Sequence, residues 1–281
     1  MNSLFCFGLG YTARGLARSL QSKGWSVAGT SRAASGVAEF PTIPFDGQGR
    51  IAGDALGGVT HILVSVPPDG GGDPVLRCCS DEIIARAPQL AWVGYLSTTG
   101  VYGDHGGGWV DEDTARAPLS ERAKARVAAE DAWLALCRDW AVPVHVFRLA
   151  GIYGPGRNQI EAVLNGTARR IIKPHQVFSR IHVEDIVGVL EASIARPDPG
   201  RIYNVADDAP APPGDVVGFA AELVGRPPPP ETAFETAQLS PMARSFYGES
   251  KRVSNRRIKQ ELGYKLRFPT YREGLKALRP T

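Results

Sequence analysis

The stretch "SLFCFGLGYTA" at 3–13 constrains this chain more than any other. A short apolar run ends in glycine, and Ala13, Leu16, Ala17 and Leu20 then recur at helical spacing until Gly24 ends the pattern. The spacing predicts strand, tight turn and helix. Within the turn, Gly8, Gly10 and Ala13 stand in G-x-G-x-x-A order. The first glycine permits the turn, the second admits a pyrophosphate to the backbone, and the small third residue lets helix and strand pack closely. A helix starting there presents unpaired N–H groups and a positive dipole end to phosphate. With a second strand at "WSVAGT" (25–30), the unit predicts a dinucleotide site that includes Tyr11 and Thr12 of the turn.

The same alternation continues. "HILVSV" (61–66), "AWVGYLS" (91–97) and "VHVFRL" (144–149) read as buried strands, with helical patterns at "DPVLRCCSDEIIARA" and "SERAKARVAAEDAWLALCRDW". Strands of this kind separated by helices predict an α/β fold, a doubly wound parallel sheet covered on both faces. After residue 150 the loops lengthen and prolines gather in "APAPPG" and "GRPPPP", which read as stiff connections. A basic helical pattern follows near 251–262, with Ile258 and Leu262 as its apolar stripe and its basic residues as a solvated face. A strand-like "YKLRF" comes next. We therefore expect a Rossmann domain over 1–150, rejoined by 181–206, and a smaller lobe from 151–180 and 207–281.

The second strand runs into "GTSR". An NAD site places an acid there for the ribose 2′-hydroxyl, whereas Ser31 and Arg32 suit a 2′-phosphate by charge and paired hydrogen bonds. NADP is expected over NAD, against the alternative that Arg32 simply faces solvent. Ser65 and Val66 end the next strand and are expected to line the cofactor, with "PPDGGGDP" (67–74) as a flexible rim.

A net charge of +3 interspersed along 281 residues argues against nucleic-acid binding. No basic leader and no run of ~20 apolar residues is present, so a cytoplasmic chain with no membrane partner is expected. Cys6, Cys78, Cys79 and Cys137 form no C-x-x-C pair and read as reduced packing thiols, with no metal site.

Four further motifs stand in order: "LSTTGVYGD" (96–104), "VFRLAGIYGPGR" (146–157), "RIHVEDIV" (180–187) and "RIYNVAD" (201–207). With the glycine turn, they make the chain resemble the extended short-chain dehydrogenase/reductase family, which includes nucleotide-sugar epimerases and dehydratases. The resemblance implies NAD(P) binding and a C-terminal lobe closing over a small-molecule substrate, commonly a nucleotide-linked sugar. It places Thr98 at the family's catalytic serine or threonine and Lys124 at its active-site lysine. Arg157 and Arg180 match positions that often hold substrate phosphates, with surface solvation as the alternative. A homodimer through paired helices, one containing Lys124, is implied by the same analogy.

Two departures stand out. The family's tyrosine four residues before the lysine is Ser120 here, and "GLGYTA" replaces the commoner G-x-x-G-x-x-G. Both resemble an atypical subgroup lacking the catalytic tyrosine. A tyrosine near pKa ~10 is drawn toward neutrality by an adjacent lysine, whereas a serine hydroxyl is not. Losing general acid/base catalysis removes about 100-fold to 10,000-fold and leaves cofactor binding intact. Tyr102 and Tyr153 are candidate substitutes near the substrate, as is His182. Turn packing accounts for the two tyrosines equally, and helix capping for "HVED".

Overall fold

The computed structural model describes residues 2–32, 39–51 and 54–280. In chain order the elements begin β1 (Ser3–Phe7), α1 (Tyr11–Ser22), β2 (Ser26–Ser31), β3 (Thr42–Pro44), β4 (His61–Val64), α2 (Pro74–Ala85) and β5 (Trp92–Thr98). They continue with β6 (Trp109–Val110), α3 (Glu121–Trp140), β7 (Val144–Leu149), β8 (Gly151–Tyr153), α4 (Gln159–Leu164), β9 (Arg170–Ile172) and β10 (Arg180–His182). The rest are α5 (Val183–Ala195), β11 (Ile202–Val205), α6 (Pro213–Leu223), β12 (Glu231–Ala233), α7 (Pro241–Phe246), β13 (Arg252–Val253), α8 (Arg256–Gln260) and α9 (Tyr271–Ala277).

Seven strands form one sheet in the order β11-β7-β5-β4-β1-β2-β3. β1 lies parallel to both β2 and β4, with Cys6 opposite Gly29 on one side and Leu63 on the other. The fold is thus the expected doubly wound, Rossmann-like α/β sheet. Strand order reverses beside β1, so the C-terminal ends of β1 and β4 border the switch point where such sheets take ligands. Phe5, Phe7, Ile62, Val64, Val93, Tyr95, Val144 and Val146 build the core with Trp133 of α3. Each such side chain contributes about 1.5–3 kcal/mol by leaving water.

The chain divides into two compact units, Met1–Thr98 with Glu121–Arg148 and Val187–Tyr203, and Thr99–Ser120 with Leu149–Ile186 and Asn204–Thr281. Residues 99–120, expected with the sheet, group with the second unit, which is therefore as extensive as the first. Side chains and a strand pair hold them there. β6 pairs with β13, Lys251 donates to the Gly103 carbonyl, and Asp104 accepts from the Ser250 N–H.

Three local expectations change. "YKLRF" forms no strand, because Asp185 takes the Arg267 and Phe268 N–H groups and the Tyr264 hydroxyl. In the basic stretch, Arg252 lies on β13 and Lys251 is buried against Glu249, leaving only α8 helical; Ile258 and Leu262 are buried as expected. The rim at 67–74 is a tied turn, closed by the Asp69–Gly72 pair and fastened by Arg77 to Asp69 and to the Gly47 carbonyl. All four cysteines are free, and burial pushes the Cys6 thiol up to about 12.

Candidate functional site

The site begins in the first unit at the end of β1. Gly8 takes φ +87°, a conformation L side chains rarely adopt. Its N–H donates to Thr30 Oγ1 at 2.8 Å and its carbonyl accepts from Ser65 Oγ at 2.5 Å, so β1, β2 and β4 are tied together at this turn. A Cβ at position 8 would stand 2.9 Å from Ser65 Oγ and 3.1 Å from Val66 Cγ2. Gly10 differs. It precedes α1 in extended conformation, supplies no side-chain cap, and a Cβ there would meet nothing within 4 Å.

No acidic residue occupies the first turn of α1. Thr12 and Ala13 pack inward while Tyr11 is partly exposed. The helix therefore offers backbone N–H groups and open space where an anion would lie, and the residues present fit a dinucleotide pyrophosphate. Ser31 ends β2, and Arg32 stands exposed just beyond it.

The end of β5 and helix α3 supply the second part of this unit. Thr98 is the last residue of β5 and is half-buried. Beneath it, Glu130 of α3 accepts from Ser97 Oγ at 2.6 Å and pairs with Arg148 Nη2 at 2.8 Å. With side chains 0% and 2% exposed, this ion pair lies wholly inside the protein. One turn earlier on α3, Arg126 donates to the Leu96 carbonyl at 2.6 Å and the Tyr95 hydroxyl at 3.1 Å. Two side chains of α3 thus grip the three residues before Thr98. Lys124 lies on the same helix, half-exposed, with Nζ 2.8 Å from Glu121. Ala123, Ala129, Glu130 and Trp133 form the buried face of α3, and Ala128 is exposed.

The buried charges were not among the expected site residues, yet a signal for them exists. Arg148 is the one charged residue in "VHVFRL", and a cation inside a buried strand requires a buried acceptor.

In the second unit Tyr102 is fully buried and its hydroxyl donates to Asn204 Oδ1 at 2.7 Å. Ser120 is half-buried immediately before α3. Tyr153 and His182 are register partners on β8 and β10, with rings 5.1 Å apart. Burial and nearby carboxylates raise the Tyr153 phenol. His182 Nδ1 accepts from the Glu184 N–H, which caps the start of α5, and burial lowers its pKa. Arg157 is exposed in the turn closed by its backbone bonds with Gly154. Arg180 is half-buried, and desolvation pulls its guanidinium down from its ordinary value. Beside it is a residue that motif reading passed over: Asp207, buried and pushed up to about 7, chiefly by desolvation. Among the described residues no cluster of three His, Cys, Asp or Glu could hold a metal ion, and no helix is long and apolar enough to cross a membrane.

Residues 81–206 match the NAD dependent epimerase/dehydratase family. A functionally unknown conserved protein from Silicibacter pomeroyi DSS is 55% identical with a TM-score of 0.91, over 99% of this chain and 98% of that chain. Protein YeeZ of Escherichia coli (strain K12) is 29% identical over 288 residues, 96% of this chain and 97% of YeeZ. The dTDP-glucose 4,6-dehydratase of Bacillus anthracis str. Ames, solved in complex with NAD, superposes with a TM-score of 0.79 over 99% of this chain and 94% of that chain. At 18% identity this last likeness speaks to the fold alone.

Proposed function

From the match of residues 81–206 to the NAD dependent epimerase/dehydratase family we propose that the chain is an NADP(H)-dependent oxidoreductase or epimerase of a small polar, nucleotide-linked substrate. The observation that carries the reading is the uncapped start of α1 behind Gly8 and the open space at Gly10. Gly8, Gly10, Tyr11, Thr12 and Ala13 would hold the pyrophosphate, and Ser65 and Val66 would line the adjoining strand end. Arg32 and Ser31 would take the 2′-phosphate; no acid stands at the end of β2 to claim a free 2′-hydroxyl.

The bound nicotinamide supplies the hydride chemistry. This chain's part is to position and to move protons. Thr98, on a strand end fixed by Arg126 and Glu130, would hydrogen-bond the reacting substrate oxygen. Lys124 would hold the nicotinamide ribose, for which it must leave Glu121. That exposed pair contributes about 0–1 kcal/mol, a small obstacle. Arg180 and Arg157 would receive the substrate's phosphates, with Tyr102 and Tyr153 shaping the second unit around it.

Calorimetric titration with NADPH and NADH tests the cofactor assignment. Tighter binding of NADPH, lost in Arg32→Ala, is expected; preference for NADH would remove Arg32 from the site. Turnover is tested by NADPH oxidation against carbonyl compounds and nucleotide sugars, with Lys124→Met beside the wild type.

Ser120 favours a second reading, an NADP(H)-binding sensor or scaffold without turnover, because its hydroxyl lacks the acidity of the tyrosine it replaces. The Tyr102 hydroxyl, committed to Asn204, offers no ready substitute. Under this reading the titrations succeed and the turnover screen fails.

A further inference from the structure

The parallel register of β8 and β10 sets Gly151 opposite Arg180 and Tyr153 opposite His182. Residues two apart on a strand face the same way, so Arg180, His182 and Tyr153 share one face. Gly151 leaves the place beside Arg180 free of a side chain. The chain returns along β10 at Asp207, whose N–H donates to the Arg180 carbonyl at 2.6 Å.

Proximity has not made an ion pair of the two side chains. Arg180 Nη1 donates to the Phe178 and Ala211 carbonyls at 2.8 and 3.2 Å, and no partner among the described residues takes Nε or Nη2. Asp207 is 1% exposed; its Oδ1 accepts the Ala209 N–H at 3.1 Å, and its Oδ2 is buried without a partner. The Tyr153 hydroxyl beside them is likewise buried and unpartnered, pressed toward Gly274 of α9. A guanidinium with unused donors, crowded yet still accessible, thus adjoins a carboxyl with an unused oxygen.

We propose that Arg180 and Asp207 form a proton-linked anion site, in which a phosphate group of the substrate docks on the free guanidinium donors while Asp207 takes up one proton from solvent on Oδ2. This rests on the assignment of Arg180 to the substrate's phosphates. An anion beside an ionised Asp207 is repelled, and two negative groups sharing a buried site hold one proton between them. Once protonated, Oδ2–H becomes a donor to the incoming oxygen and its missing hydrogen bond is made.

The surroundings favour the protonated form. Burial chiefly, then Asp208 and Asp185, push Asp207 up to about 7, with Arg180 opposing. Asp208 is occupied by Lys259 and Asn255, and Asp185 by backbone N–H groups and Tyr264. His182 from β10, Tyr153 from β8, Tyr271 and Glu273 from α9, and Tyr247 complete the titratable groups around the pair. Burial favours the neutral form of His182, and it raises Tyr153 away from neutrality.

The test is calorimetric binding of uridine diphosphate glucose, whose phosphodiester charge is constant across the range, to the full-length protein at about pH 6, 7 and 8. Wild-type affinity is expected to fall about tenfold from pH 6 to pH 8, and to stay level in Asp207→Asn. Independently of any variant, the wild type at about pH 8 should take up close to one proton per ligand, read from the apparent heat in buffers of different ionisation enthalpy. Level wild-type affinity without proton uptake, or uptake persisting in Asp207→Asn, overturns the linkage while loss of binding in Arg180→Gln keeps the phosphate assignment. Absence of binding, or unchanged binding in Arg180→Gln, overturns both.

Discussion

Gly8 and Gly10 stand two residues apart in one motif, yet they carry different loads. Gly8 is needed by the fold: a side chain there meets Ser65 and Val66 in a backbone conformation that costs a non-glycine residue about 1–3 kcal/mol. Gly10 is not needed by the fold, because a methyl group there enters open space, and under the proposed function that space is where the pyrophosphate would lie. Gly8→Ala should therefore lower stability by about 1–3 kcal/mol in urea unfolding. Gly10→Ala should leave stability within about 0.5 kcal/mol and weaken NADPH binding at least about tenfold. Equal loss of stability in both variants would contradict this division. The glycine turn is legible in sequence because its requirements are local. Asp207 and Glu130 are not, since their roles depend on Arg180 and Arg148, partners that no spacing rule connects to them.

At the scale of elements, α3 shows how far pattern reading reaches. Its existence and its lysine follow from sequence, but its buried face does not, because that face includes the charged Glu130. Glu130→Ala removes the carboxylate that pairs with the buried Arg148, and should destabilise the protein by about 3–5 kcal/mol in urea unfolding. Loss of less than about 1 kcal/mol would mean that water or another acceptor reaches Arg148. α9 makes a similar demand for smallness. A Cβ at Gly274 would lie 2.0 Å from the Tyr153 hydroxyl, so Gly274→Ala should cost about 1–3 kcal/mol by overpacking. "YKLRF" and the stretch at 251–255 depart from their sequence patterns for one physical reason. Their backbone groups are claimed by distant residues, Asp185 for the first, and the strand β6 together with the loops around it for the second.

For the whole molecule, the buried titratable groups set how stability varies with pH. Burial holds His61 and His145 at about 4, so the folded chain keeps them neutral where the unfolded chain protonates them. Between about pH 4 and 6.5 unfolding takes up protons at these residues, and stability rises with pH. His182, lowered for the same reason, adds to the rise. Asp207 acts in the opposite sense, because the folded chain keeps a proton up to about 7 that the unfolded chain releases near the ordinary carboxylate value. Its contribution declines as pH rises from about 4 to 7. Asp73 and Glu112, raised chiefly by burial, act in the same sense as Asp207, and the three histidines together are expected to outweigh them, so that stability rises between about pH 5 and 6. Urea unfolding at about pH 5 and 6 checks the sign, and Asp207→Asn should steepen the slope. Stability lower at pH 6 than at pH 5 would refute it.

By itself the sequence determined the alternation of the main sheet strands and helices through Leu149, the Rossmann-like class and the glycine turn. Each of these is written in neighbouring residues through periodicity, turn chemistry and backbone freedom. Only the tertiary structure decided that residues 99–120 group with the second unit, that Glu130 answers Arg148, and that Asp207 lies against Arg180 without neutralising it. Burial and distance between residues far apart in the chain govern those relations, and the free energy of a buried charge depends on what the fold brings beside it.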